Sequence, residues 1–546
     1  MFATITLEQC HVMKRVWILG WDGADPGLIA RWVDAGHLPH LRSLTAAGGY
    51  LGPLEGVTPP VTFPAWTTCV TGVNPGRHGI PDFTFIPPGT RTLRFLTGAD
   101  RLVPAAWDYL SESGARCAVL GVPATWPATP LNGVMIAGFD SPLGGAVARS
   151  HVYPETLLDR ARAWRYADAD EHFTDRPGWH HRFARHLARR LEDKCRVALD
   201  ILEDEPWDFF MCVLGEADAA SHHCWMFMDP ASPRFQPDET LSTVILRMYR
   251  QLDVFLGQVM KRADDETLIM VVSDHGFTGA GIHQASLNRF LESHGWLRRR
   301  AHPAARLKQA LLRGTPARWR SALARWFPGK VMGLEALARF GGIDWRHTRA
   351  WSEELAYFPS VRLNVAGCDP GGLIPSASRR DATLELCSLL ETWEPVKRAI
   401  PQWEVYDGPA ADRAPDILIE PAEINGYPWV FGRWHGGDAT RILDPSAFAG
   451  GREQGFNGVH RNPAFLAMNA RCRRATPRLT DITPTILDAL GHAVPDLEGS
   501  SLLSAVGQDP DTPRGLFPAT RDTRRFLTPE EETELEERLR RMGYLE

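Results

Sequence analysis

The chain has 546 residues, 44% of them hydrophobic, more than one simple core requires, so a large domain carrying an insertion is expected. A net charge of -6 argues against general nucleic-acid binding, and the absence of any run of about 18 apolar residues argues against a membrane span. Nine dispersed cysteines without a CxxC pair read as reduced thiols and point to a cytoplasmic protein.

The opening stretch, MFATITLEQCHVMKR, lacks the apolar core of a signal peptide. Met13 sits just before the first strand, so residues 1-12 are expected to be an unstructured leader or a misassigned start. VWILG (16-20) followed by Asp-Gly reads as a buried strand running into a loop. Helices are expected over 26-35 and 39-47. Apolar runs recur at 116-122, 133-138, 208-214 and 267-273, separated by helical stretches at 155-164, 180-203 and 240-262. Continuous apolar strands alternating with helices imply an α/β fold with a mainly parallel sheet covered on both faces. DILIE (416-420) and AFLAM (464-468) add two strands, and DITPTILDALG (481-491) is an amphipathic helix ended by Gly. Residues 296-400 break the pattern. Between Trp296 and Lys330 lie ten Lys/Arg and no Asp/Glu, interleaved with Trp319, Trp326 and Phe327. This stretch is read as an inserted cap over 296-400, within a core of 13-295 and 401-510, and its basic helix as a solvated surface. The tail 511-546 carries a helix with Thr528 as N-cap, Pro529 next and Arg at its end.

Seven residues stand where strands end or helices begin: Asp22, Thr62, Asp218, His222, Asp274, His275 and His460. An α/β sheet places its working residues there. Asp218 and His222 are four apart, which puts both on one face of a helix, whereas the adjacent His223 points about 100° away. Asp274-His275 follows the strand at 267-273 directly, and Asp22 ends the first strand. Singly, each has a plain structural reading as a loop cap, turn or surface residue. Jointly, they suit two divalent ions, one on Asp218, His222 and His460, the other on Asp22, Asp274, His275 and the oxygen of Thr62. Nitrogen and oxygen donors without thiolate fit Zn²⁺, and also Mn²⁺. Pro64 suits a first helical turn, so Thr62 stands at or just before a helix N-terminus, where an anion is favoured. Thr62 alone reads as a simple N-cap, and a bare threonine is a poor nucleophile without a metal on its oxygen. Thr67, Thr68 and Thr71 compete for the role from inside the helix, and Cys69 reads as packing.

ILGWDGADP (18-26), LPHLRSL (38-44), PPVTFPAWTTCVTGVNPGRHGIPDF (59-83), GEADAASHH (215-223), VVSDHGF (271-277), GVHRNPAFL (458-466) and DITPTILDALG (481-491) together resemble the alkaline phosphatase superfamily, in particular its type I phosphodiesterase/nucleotide pyrophosphatase group and the bacterial predicted phosphohydrolases/phosphomutases. The resemblance implies a three-layer α/β/α core with a bimetal site, Thr62 as a nucleophile forming a phosphoryl-enzyme, and a small phosphate-ester substrate. Two departures weigh against a nucleotide: Ala65 stands where pyrophosphatases usually carry Asn, and their phosphate-contacting Asn falls on Phe83, beside Asp82. Thr62 at the position of the sulfatases' modified residue weighs against that group. No equivalent of the third metal site of classical alkaline phosphatases can be placed, which favours a diester. Arg77, Asp82 and Phe83 are the candidate substrate contacts. A phosphomutase or phosphomonoesterase on the same site, and a non-catalytic binding protein, are the rival readings.

Overall fold

The computed structural model describes residues 13–138, 147–164, 178–300, 340, 342–354, 357–434, 437–444 and 456–503. The leader, most of the basic segment before Lys330, and the tail helix lie outside the described residues.

The first strand, Arg15–Trp21, lies inside an eight-stranded sheet. It pairs in parallel with Phe209–Leu214 on one side and Thr267–Val272 on the other. In order across the sheet the strands are Tyr50–Leu54, Ala464–Met468, Thr267–Val272, Arg15–Trp21, Phe209–Leu214, Cys117–Leu120, Gly133–Ile136 and Val152–Tyr153. The five in the middle are parallel; Ala464–Met468 and Val152–Tyr153 run antiparallel to them, and the edge strand Tyr50–Leu54, antiparallel to Ala464–Met468, runs in the direction of the five again. Trp17, Leu19 and Trp21 point to one face and pack with the helices Trp179–Asp204 and Val244–Met260. Val16 and Ile18 point to the other and pack with Thr62–Thr71 and Ile482–Ala489. The alternation of side chains along a strand thus feeds two apolar layers, which is why the strands are apolar throughout. This is the three-layer α/β/α architecture.

A second, four-stranded sheet runs Ala350–Trp351, Ser360–Leu363, Ile417–Pro421, Val396–Pro401, all antiparallel. Its apolar side is covered by the helix Arg379–Leu390. The 416-420 run, expected on the core side of a boundary at 400, therefore pairs with strands from the insertion. A short buried apolar run carries no mark of which sheet it joins, so the sequence places the strand but not its partners.

Candidate metal centre and nucleophile

The parallel register brings the loops after three strands to one edge. Trp21 pairs with Leu214 and Gly20 with Val272, so Asp22, the helix beginning at Glu216, and Asp274 emerge side by side. Gly23 has a φ of +69°, and a Cβ there would stand 3.1 Å from the Cα of Asp218; only glycine lets the first loop approach this helix so closely. Gly458 is similarly forced, because a Cβ would collide with the carbonyl of Ser221. His460 arrives on a short strand, Gly458–Arg461, that pairs antiparallel with Gly276–Gly279, immediately after His275. Arg461 is anchored to Asp25, which also accepts the backbone N–H of Phe277.

All seven candidate residues, the six Asp and His and the candidate nucleophile Thr62, meet there. His460 Nε2 lies 3.1 Å from Asp218 Oδ1 and 3.0 Å from His222 Nε2, and His222 Nε2 lies 3.5 Å from Asp218 Oδ1. His275 Nε2 lies 3.1 Å from Asp274 Oδ2, 3.8 Å from Asp22 Oδ1 and 3.4 Å from Thr62 Oγ1. Asp22, Asp274 and His275 form one cluster compact enough for an ion. The contacts among Asp218, His222 and His460 define a neighbour, and a further grouping of Asp218, His275 and His460 links the two. The rings of His275 and His460 stack at 3.5 Å.

The imidazoles share one arrangement. His222 Nδ1 faces the carbonyl of Gly458 at 2.9 Å, His460 Nδ1 that of Pro60 at 3.0 Å, and His275 Nδ1 that of Gly276 at 3.3 Å. A carbonyl can only accept, so each Nδ1 carries the proton and each Nε2 presents a lone pair inward. Two lone pairs 3.0 Å apart repel unless a cation lies between them, and backbone carbonyls behind metal-bound imidazoles are the usual means of fixing the tautomer. The carboxylates tell the same story. Asp22 Oδ2 accepts from Trp66 Nε1 and Asp274 Oδ1 from Gly23 N, but Asp22 Oδ1 and Asp274 Oδ2, both buried, accept no hydrogen bond. Burial, with Asp274 and Asp218 nearby, pushes the Asp22 carboxyl well above its ordinary range. Burial, together with Asp274, raises Asp218 to about 7 although His275 opposes it. His275 is raised because the adjacent carboxylate of Asp274 outweighs burial. Such a cluster holds protons until cations replace them, and its donor set fits two divalent ions.

Val61, not Thr62, is the N-cap residue; Thr62 is the first residue of its helix and its hydroxyl is turned to His275 instead of capping. Two of its rivals are turned elsewhere: Thr68 faces His78, and Thr71 bonds the carbonyl of Thr67; the hydroxyl of the third, Thr67, is buried without a hydrogen bond. Cys69 is buried in the core, where burial pushes its thiol up. Phe83 packs on Phe63 at 4.3 Å, and Asp82 accepts from the N–H of Phe83. Arg77 is drawn the other way, toward Glu498 at 3.6 Å and the carbonyl of Asp496; the structure does not bring it to the metal ligands.

Two residues and one contact escaped the sequence reading. Trp66 lies one helical turn beyond Thr62, so the shared face was legible, but its indole N–H on Asp22 was not. Phe456 lies against His222 at 4.3 Å. Tyr357, from the insertion, lies over His460 with ring centroids 4.2 Å apart, and nothing in its local sequence marks it.

A parallel sheet with two adjacent carboxylate–imidazole clusters and a hydroxyl at its C-terminal edge has the donor set of a metal-dependent enzyme that acts on phosphoric esters. A family model described as type I phosphodiesterase / nucleotide pyrophosphatase matches residues 16–423, and the chain belongs to that family. No curated protein matches it in sequence. Among solved structures it resembles phosphonoacetate hydrolase from Sinorhizobium meliloti 1021 in complex with phosphonoacetate, at 15% identity and a TM-score of 0.53 over 88% of this chain and 97% of that one. The same enzyme with phosphonoformate gives 15% and 0.52 over the same shares. Murine ectonucleotide pyrophosphatase / phosphodiesterase 5 gives 14% and 0.45 over 89% and 97%. At these identities the hydrolase structures support the fold alone. Among the described residues no helix is long and apolar enough to cross a membrane.

Proposed function

We propose that the protein is a two-metal phosphodiesterase in which Thr62 is the nucleophile. The observation that carries this reading is the turn of the Thr62 hydroxyl to 3.4 Å from His275 Nε2, beside two buried carboxylate oxygens without hydrogen bonds. Asp22, Asp274 and His275 would hold one divalent ion with Thr62, and Asp218, His222 and His460 the other. Zn²⁺ is favoured and Mn²⁺ is compatible. The ions would supply a lowered hydroxyl pKa and charge stabilisation of the transferring phosphoryl group. Thr62, at a helix start, would lose its hydroxyl proton and attack phosphorus, breaking the bond to one ester oxygen, which leaves as the alcohol with that proton; water would then cleave the phosphothreonine, its oxygen going to the released phosphomonoester and one proton back to the Thr62 hydroxyl. Trp66 and Gly23 orient the first carboxylate pair; three backbone carbonyls orient the imidazoles.

Charge favours a diester. Three carboxylates and two divalent ions leave roughly one positive charge, which matches a diester monoanion. Among the described residues no lysine or arginine forms an ion pair with Asp22, Asp218 or Asp274, so a monoester dianion lacks a further counter-charge. The core of 13-295 and 401-510 with its 296-400 insertion is kept as the domain reading, with the strand at Ile417–Pro421 joining the insertion's sheet. A cytoplasmic location is proposed from the eight cysteines found free among the described residues.

The test is hydrolysis of bis-p-nitrophenyl phosphate against p-nitrophenyl phosphate by metal-loaded protein. Thr62→Ala should lower diester turnover at least about 10³-fold with metal content kept. Full activity in that variant would remove Thr62 from the mechanism. Phosphoryl transfer to an added alcohol in preference to water would move the reading to a phosphotransferase or mutase.

A further inference from the structure

The insertion reaches the site through one side chain. Tyr357 Oη lies 3.4 Å from His222 Nε2, the same spacing that separates donor atoms within the cluster, 3.0 to 3.5 Å. Its ring covers His460, and Phe83 meets it edge-on at 6.3 Å. Its place is fixed from both ends of the molecule. Phe358 packs at once against the wall of Val61, Phe63 and Phe83 and against Ile400, Tyr406 and Leu418. The carbonyl of Pro359 accepts from Ile419 N, and the strand Ser360–Leu363 then pairs with Ile417–Pro421. A phenylalanine would meet every one of these packing needs. The hydroxyl adds a single donor at the edge of the cluster formed by Asp218, His222 and His460. A metal site with three protein ligands keeps one position open for substrate, and a donor beside that position meets whatever oxygen comes there.

We propose that Tyr357 is a substrate-contacting residue: its O–H donates to an oxygen of the phosphoryl group seated against Asp218, His222 and His460, which makes the insertion part of the active site. The inference rests on the two-metal reading above. It assigns the insertion's sheet the task of presenting this one group, and it makes Phe63, Phe83 and Tyr357 a shared aromatic wall for the ester substituent.

The experiment uses the full chain loaded with Co²⁺, whose visible spectrum reports the ligand set, titrated with inorganic orthophosphate. Wild type should show a d–d spectrum that phosphate perturbs; a wild type that takes up no Co²⁺ removes the metal reading and this inference with it. Tyr357→Phe should keep the resting spectrum and metal content of wild type, while its phosphate Kd rises roughly tenfold or more, as expected for one hydrogen bond to a charged oxygen. An unchanged phosphate Kd in Tyr357→Phe, with wild type behaving as stated, overturns the inference alone. A changed resting spectrum makes Tyr357 a metal ligand and equally overturns it. Tyr357→Leu, which also loses the ring, separates the wall from the hydroxyl: its phosphate Kd should match that of Tyr357→Phe, and a further large rise would refute the assignment to the O–H.

Discussion

Glu216→Gln tests how the helix that carries Asp218 and His222 is fixed. Glu216 is the first residue of Glu216–Met228, two positions before Asp218, and it is 1% exposed. Its Oε1 accepts from Arg190 Nε at 2.9 Å and from Lys194 Nζ at 2.8 Å, both from the long helix Trp179–Asp204 and both only 8% exposed. Burial alone would raise the Glu216 carboxyl, but the two cations hold it below its ordinary range. Lys194 is lowered all the same, because its own burial outweighs Glu216 and Arg190 adds to it. The substitution keeps the shape and leaves two buried cations facing a neutral amide. Breaking a buried pair in this way costs about 3–5 kcal/mol. Partial deprotonation of Lys194 relieves some of it, so the lower end, about 3 kcal/mol, is expected. The assay is urea unfolding followed by tryptophan fluorescence, with the metal content of the folded fraction measured alongside. Adding Lys194→Met to Glu216→Gln removes one stranded cation and should recover part of the loss. A single-variant cost under about 1 kcal/mol, or a double variant no better than the single, would refute the argument that charge compensation holds this helix.

Other outcomes follow from the same contacts. His78 is buried, and burial with Arg101 nearby lowers it to about 3; its Nδ1 accepts from Ile80 N. The folded chain thus refuses a proton that the unfolded chain takes up near pH 6.5, so stability should be full above that pH and fall below it, by about 1.4 kcal/mol at pH 5.5; a flat His78→Gln difference between pH 7.5 and 5.5 would contradict this. Trp66→Phe removes the donor on Asp22 Oδ2 and keeps most of the buried ring. It should lower kcat/KM on the diester about tenfold or more while leaving the circular dichroism spectrum unchanged. Chelation should destabilise the protein measurably, since an ion at 100 times its Kd contributes about 2.7 kcal/mol; an unchanged Tm in EDTA would count against resident metals.

Much of the core was legible because buried parallel strands leave unbroken apolar runs. Arg15–Trp21, Phe209–Leu214 and Thr267–Val272 fall where VWILG and the runs at 208-214 and 267-273 put them. That the candidate residues meet was legible for a related reason: Asp22, Asp218 and Asp274 all lie within four residues of the end of such a strand. Partner choice was not legible. The strand at Ile417–Pro421 joins the second sheet, and the edge strand Tyr50–Leu54 carries Gly and Pro, which suit an edge but hide the strand. Tyr357 stood in no pattern at all, since its position depends on the pairing of Ser360–Leu363 with a strand more than fifty residues on.

What no single segment contains is the orientation of the donors. His222 lies on a helix, but its ring is turned by the carbonyl of Gly458; His460 lies on a strand, but its ring is turned by the carbonyl of Pro60, in the loop that leads to Thr62. Asp274 is held by Gly23 and Asp22 by Trp66. These four donors are thus each aimed by a different element from the one that carries it, whereas His275 faces the carbonyl of its own neighbour, Gly276. In the unfolded chain these residues are ordinary aspartates and histidines with no preformed site, so on the two-metal proposal metal binding and closure of the sheet edge would support each other. The neighbours that aim the donors carry this coupling as much as the donors do. If the proposal holds, a variant that shifts the loop at Pro60 should loosen metal binding at Asp218, His222 and His460 and misplace Thr62 together, because one carbonyl and two residues of chain join Thr62 to that cluster.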